Sequence, residues 1–363
     1  MGKRMLFNTY DRTDSSPIKT TESHYDFLNR SSWPQCGKAR DLFEEWFRQY
    51  PKKDQYDFLN SFQAAAKHQY DAALWEMICY QIFYKQGFTL THHPEICGSD
   101  KTPDFLVTKN GYNSFYLECA VIQNEEEKHQ AKIEEFINEK VKSPYYLSIQ
   151  YENKANSTPN LNNIVNDIQE FIGEYNSNEV DKKKTIDIDG WIIRIGIIGK
   201  KSNTDNRTIA CSAGGAQFID RKSLINKLKN KSNKYKNLDK SLVMAINNIN
   251  SRKRFDEQDI KEVLFGNIDS DINSLDGFFI KNGKPKNQRL NGLIYANGVY
   301  PWSLGGVDID FYNNPWAKLK LDYRLWNSDR NYFSIKNQQI SLSKSKGKKI
   351  YEILGLEKDW PNI

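Results

Sequence analysis

The alternation of apolar and polar positions divides the chain into helical and extended segments. Helical spacing runs over about Ala39 to Tyr50 and Gln55 to His68, with Pro51 as the break, and then from Gln69 to a terminating Gly87. Extended patterns follow at Phe88 to Glu95, Pro103 to Val107 and Phe115 to Val121, and Asn110-Gly111 marks a turn between antiparallel neighbours. A polar helix over about Asn124 to Lys142 and a strand at Tyr145 to Tyr151 come next. Beyond them lie a helix near Leu161 to Tyr175, a strand at Trp191 to Ile198, a basic helix from Arg221 to Tyr235 and a strand at Ser241 to Asn247. The final third, with Asn282-Gly283 and Asn297-Gly298, reads as hairpins and irregular loops.

The pattern predicts an α/β fold in three parts. Residues 1–68 form an N-terminal helical segment. Residues 69–155 form a core of helix, three strands, helix and strand in a mixed sheet. Residues 156–363 form an α/β extension that continues the sheet and serves substrate or partner binding. The polar stretches at about 153–160 and 176–185 are the candidate linkers.

Composition excludes more than it identifies. Eight Trp, 20 Tyr and 19 Phe in 363 residues exclude a disordered chain. No apolar run reaches the length of a membrane span, and the basic start lacks the apolar stretch of a secretory signal, so a cytoplasmic protein is expected. Five scattered cysteines, none spaced CxxC, predict reduced and mostly buried thiols. With 52 Lys and Arg against 46 Asp and Glu, the net charge of +6 suits a polyanion without naming one.

Three carboxylates stand out. On a helical wheel Glu76 shares a face with Ala72, Ala73, Cys79, Tyr80 and Phe83, whereas Asp71, Gln81 and Lys85 lie opposite, so Glu76 is expected to face the core. Asp104 and Glu118 each lie in an apolar strand. An odd number of connecting residues around Asn110-Gly111 makes positions summing to 222 face one another, which sets Asp104 against Glu118; an even number sends Glu118 to the other face. Opposed buried carboxylates repel unless a cation intervenes, and magnesium, an oxygen-seeking ion held by few carboxylates, suits that role. Ordinary salt bridges, from Arg194 or a core lysine, are the competing explanation.

Glu76 on a helix, Pro103-Asp104, and Glu118-Cys119-Ala120 in helix–strand–strand–strand order resemble the PD-(D/E)xK, or restriction-endonuclease-like, nuclease superfamily. HPEICGSDKTPDFLV, SLVMAIN and YNNPWAKL are similar to bacterial members associated with defence against foreign DNA. The resemblance implies a metal-dependent endodeoxyribonuclease in restriction or anti-phage defence, with Asp104, Glu118 and Glu76 holding Mg or Mn. DNA is then the substrate, and other defence-system subunits or a second copy of the chain are further candidate partners. Ala120 stands where the family has its lysine. Lys128, Lys132, Lys101 or Gln123 could supply that function, and a catalytically inactive nucleic-acid- or partner-binding protein is the alternative.

Two further features concern phosphate. In THHPE one of His92 and His93 faces the site side of its strand; His93 is the candidate phosphate contact, although a turn or core histidine explains it as well. Lys227, Lys231 and Lys234 share one face of the basic helix and, with Lys101, are candidate DNA contacts, while a solvated face is the ordinary use of such a run.

Overall fold

A computed structural model describes residues 4–19, 22–64, 67–123, 126–175, 182–201, 207–214, 221–235, 238–249 and 254–362. The chain divides into two compact units: residues 1–16, 23–123 and 219–363 form one, and residues 17–22 with 124–218 form the other.

The first unit opens with α1 (His24–Arg30), α2 (Pro34–Gln49) and α3 (Gln55–Phe62). Then come α4 (Lys67–Lys85), β1 (Thr89–His92), β2 (Phe105–Thr108) and β3 (Phe115–Ile122). Helix α1 falls within residues 1–35, a polar part of the N-terminal segment in which the sequence shows no helical spacing. It is fixed by the Ser23 hydroxyl accepting from the Asp26 N–H and by burial of Tyr25, Phe27 and Leu28.

The second unit follows β3 in sequence. It contains α5 (Glu126–Lys140), β4 (Tyr145–Asn153), α6 (Leu161–Gly173), β5 (Lys183–Ile188), β6 (Trp191–Lys200) and β7 (Ile209–Gly214). Its strands form their own sheet in the order β5-β6-β4-β7 around a core that includes Ile149, Ile168, Trp191 and Ile193.

The chain then returns to the first unit with α7 (Lys222–Ser232), β8 (Ser241–Asn248), α8 (Glu257–Phe265), β9 (Ile280–Lys281), β10 (Lys284–Pro285) and β11 (Leu290–Asn297). The last elements are β12 (Ile309–Asn313), β13 (Arg330–Lys336), β14 (Gln339–Ser345) and α9 (Ile350–Leu354). Strands β9 and β10 make the small hairpin expected at Asn282-Gly283, where both turn residues have positive φ.

The large sheet runs β1-β2-β3-β8-β11-β12-β13-β14 and is mixed. Strands β1, β2 and β3 are antiparallel neighbours, whereas β3, β8 and β11 run parallel. The protein is therefore a mixed α/β structure, as the pattern predicts, but the partition at residue 155 differs. The strand beside β3 is β8, reached through α7, while the expected fourth core strand, β4, sits in the other sheet. A buried strand can pair in either sheet, and sequence proximity does not choose between them.

Strand β8 is buried throughout and β3 nearly so, as expected of central strands covered on both faces. On one face Phe115 meets Phe83 of α4, and the Trp75 indole N–H donates to the Ala245 carbonyl at 2.9 Å. On the other, Tyr116, Ala120 and Ile122 join Leu224 and Leu228 of α7 and Ile260 and Leu264 of α8 in one apolar cluster. Helix α4 is buried along most of its length, so its far face is only partly solvated, at Lys85. Asp71 and Gln81 are buried, and Asp71 meets the imidazole of His24 of α1 at 2.8 Å.

Candidate acidic site with two lysines

The β2–β3 register places the acids. Phe105 pairs with Leu117, Leu106 with Tyr116 and Val107 with Phe115, so paired positions sum to 222. The connection is longer than a tight hairpin, but the seven residues between Val107 and Phe115 are odd in number. Asp104 and Glu118 are thus the next opposed positions on that ladder. Asp104 is held at its backbone by the His93 N–H, which donates to its carbonyl at 3.0 Å, and at its carboxylate by the Cys119 N–H, which donates to Oδ2 at 2.6 Å.

Glu118 is wholly inaccessible, and burying an unpaired carboxylate costs several kcal/mol or more. The compensation comes from α7 and the residues just after it. Lys231 Nζ lies 2.6 Å and Lys234 Nζ 3.3 Å from Glu118 Oε1, and the Tyr235 hydroxyl donates to Oε2. The same hydroxyl lies 3.0 Å from the Thr102 carbonyl, which links the site to the loop before β2. Leu224 and Leu228 fix α7 against the sheet, so Lys231, one turn beyond Leu228, is delivered to the acid.

The electrostatics bind the groups into one cluster. Burial, then the Glu118 charge, pushes the Asp104 carboxyl up to about 7, against the pull of Lys231, the Cys119 N–H and Lys234. Glu76 keeps part of its surface accessible, yet burial and then Asp104 hold its pKa well above the carboxylate range. Burial works to lower the Lys231 pKa, but Glu118 and Asp104 outweigh it and hold that ammonium above its ordinary value. Burial first, then Glu118, raises the Tyr235 phenol, so it acts as a donor at neutral pH. Fully ionised, three acids and two lysines carry a net charge of −1.

Several sequence expectations need correction. Lys231 and Lys234 do not form a solvated stripe; both turn toward Glu118 and keep about a third of their side-chain surface (30% each). The cause is the uncompensated charge of Glu118 beneath them. Lys227, on the same helix, is partly buried, and its pKa is lowered by burial and by Lys231. Gln123 donates to Asp71 Oδ2 at 2.7 Å, which commits its amide elsewhere. Lys101 and His93 are exposed, and His92 is the buried member of the histidine pair. Lys132 is exposed on α5 of the second unit, and the side chain of Lys128 lies outside the described residues. Arg194, also in the second unit, pairs with Glu152 at 2.6 Å. Tyr235 has no place in the sequence reading; its one signal is its position four residues after Lys231, on the same helical stripe.

Among the described residues no group of three or more His, Cys, Asp or Glu side chains is arranged to hold a metal ion. The donor chemistry suits a hard cation, since Asp104 and Glu76 repel each other and have no ion pair among the described residues. Glu118, however, has both oxygens engaged by protein donors, with two ammonium groups on Oε1 and the Tyr235 hydroxyl on Oε2. Of the cysteines, Cys36, Cys79 and Cys119 are buried, Cys97 is exposed, and the side chain of Cys211 lies outside the described residues. No helix among the described residues is long and apolar enough to cross a membrane. No family model, no curated protein and no solved structure matches the chain.

Proposed function

We propose that the first unit is a metal-dependent nuclease of the restriction-endonuclease-like kind, hydrolysing DNA phosphodiester bonds in bacterial defence. The observation that carries the reading is the Lys231–Glu118 pair beside Asp104. An acid pair on adjacent strands faces a lysine delivered from a separate helix, while Ala120 packs in the apolar cluster. Asp104, Glu76 and Glu118 would hold magnesium or manganese, which would polarise the phosphoryl oxygen and lower the pKa of the attacking water. Lys231 and Lys234 compensate Glu118 when no phosphate is present. On substrate binding the same ammonium groups would meet the phosphate charge and orient the attacking water, in place of a lysine at position 120.

The test incubates supercoiled and linear DNA with the protein and magnesium or manganese, beside Asp104→Ala and Lys231→Met. Wild type should nick or cut, with each variant slower by about a hundredfold or more. Equal cleavage by all three proteins refutes the site. Saturation of both Glu118 oxygens favours a second reading, a nuclease-fold protein that binds nucleic acid or a defence partner without cleaving. Absence of cleavage with retained DNA binding would select that reading.

A further inference from the structure

Glu76, Tyr80 and Tyr84 are spaced i, i+4 and i+8 along α4, so they form one stripe that leads away from the acids. Tyr80 is buried and its ring stacks on Tyr84 with centroids 5.8 Å apart at 18°. Tyr80 also stacks with the imidazole of His92 at 5.4 Å and 20°. Three rings therefore lie in near-parallel series, and the series is braced from the side. Tyr50 packs on His92 at 4.3 Å and on Tyr80 at 5.1 Å, and the Tyr50 hydroxyl lies 3.1 Å from His92 Nδ1. Phe105, next to Asp104, meets the same imidazole edge-on at 4.7 Å. Burial first, then His93 and Lys53, depress the His92 pKa to about 3, so the buried end of the series is uncharged at neutral pH.

The outer end is different. Tyr84 is 44% exposed, and among the described residues Tyr80 is the one ring packed against it. A tyrosine held by stacking on one neighbour and left with nearly half of its surface accessible can serve as a platform for a further planar ring. The charges nearby suit a polyanion. Lys53 is exposed near His92, and Lys85, next to Tyr84 in sequence, lines a cavity of about 450 Å³ with Lys109, Lys348, Glu352 and an Arg324 that is paired with Asp322, a net cationic lining. At 1.5 Å per helical residue Tyr84 lies about 12 Å along α4 from Glu76, roughly the rise of three to four stacked nucleotides.

We infer that Tyr84 is a stacking platform for an unpaired nucleobase, and that the acidic site takes single-stranded DNA, or a duplex locally opened, in preference to intact duplex. The bases of an intact duplex are stacked on one another and offer a side-on platform no ring face, whereas an unpaired base does. The inference rests on the nuclease reading for the chemistry at Asp104 and Glu118, but its binding step needs no cleavage.

The experiment measures fluorescence anisotropy of labelled DNA in EDTA with wild type, Tyr84→Ala, Tyr84→Leu and Tyr84→Trp. The probes are a single strand of about twelve nucleotides, a strand of abasic sites of equal length, and a blunt duplex. Wild type should bind the single strand more tightly than either other probe. Tyr84→Ala and Tyr84→Leu should weaken single-strand binding about five- to a hundredfold and leave the abasic strand and duplex unchanged, and Tyr84→Trp should retain it. Unchanged single-strand affinity in Tyr84→Ala overturns the inference, as does a uniform loss on all three probes or full retention by Tyr84→Leu. If base-dependent binding through Tyr84 holds but magnesium-supported cleavage is absent, only the nuclease reading fails. If cleavage depends on Asp104 and binding ignores Tyr84, only this inference fails.

Discussion

A double-mutant cycle on Lys231 and Glu118 tests whether α7 supplies a buried countercharge or merely a surface lysine. Opposite unit charges 4 Å apart couple by about 4 kcal/mol at an effective dielectric near 20. Here the carboxylate is inaccessible and the ammonium sits 2.6 Å away, which strengthens the pair. Two features weaken it. Lys231 is 30% exposed, so water screens that end, and Lys234 stays on the same oxygen when Lys231 is lost. The expected coupling is therefore about 1–3 kcal/mol, above the usual ceiling of about 1 kcal/mol for an exposed pair. Lys231→Met keeps the apolar stem, and Glu118→Gln keeps the shape and an acceptor for Tyr235. Urea unfolding followed by tryptophan fluorescence is a suitable assay, because of the eight tryptophans Trp191 alone falls in the second unit. Lys231→Met should destabilise the wild-type background and have little effect in the Glu118→Gln background. Equal costs in both backgrounds, within about 0.5 kcal/mol, would refute the countercharge role.

Further outcomes follow from the same geometry. Tyr235→Phe keeps a fully buried ring and deletes one donor to a carboxylate, so it should lower stability by about 1.5–3 kcal/mol in urea titrations; a change under about 0.5 kcal/mol would remove the hydroxyl from the site. Asp104 holds its proton to about pH 7 when folded and releases it near its ordinary 3.8 when unfolded. Its contribution is therefore fully present below about pH 4 and is lost as the pH rises through about 7. In EDTA the stability of wild type relative to Asp104→Asn should fall across that window, and a rise would contradict the assignment. A Cβ on Gly277 would lie 2.4 Å from the Phe265 amide nitrogen and 2.6 Å from the Leu264 carbonyl, so Gly277→Ala should cost about 1–3 kcal/mol by calorimetry. An unchanged transition would mean that this backbone yields more easily than its packing implies.

Much of the site is legible in the sequence because it depends on short-range periodicity. The period of two along β2 and β3, with an odd connection, is enough to oppose position 104 to position 118, and the apolar neighbours of each acid announce its burial. The 3.6-residue period places Glu76 beside Tyr80 but misjudges the opposite face of α4. A wheel shows how residues are distributed around a helix, not whether other helices cover the polar side, and α1 covers it through the His24–Asp71 pair. The pairing of β3 with β8, more than 100 residues later, joins strands that look alike to any local pattern. With that pairing comes α7, and with α7 come Lys231, Lys234 and Tyr235.

Residue spacing within a few turns was enough to give the α/β class and the burial of the acid-bearing strands, and it narrowed the facing of Asp104 and Glu118 to the parity of one connection, which the β2–β3 register then settled. Which sheet each strand joins and which cations meet Glu118 depend on contacts between segments far apart in the chain. A buried charge requires a countercharge by solvation alone, but whether an exposed-looking lysine supplies it depends on which helix the sheet topology lays across the strand.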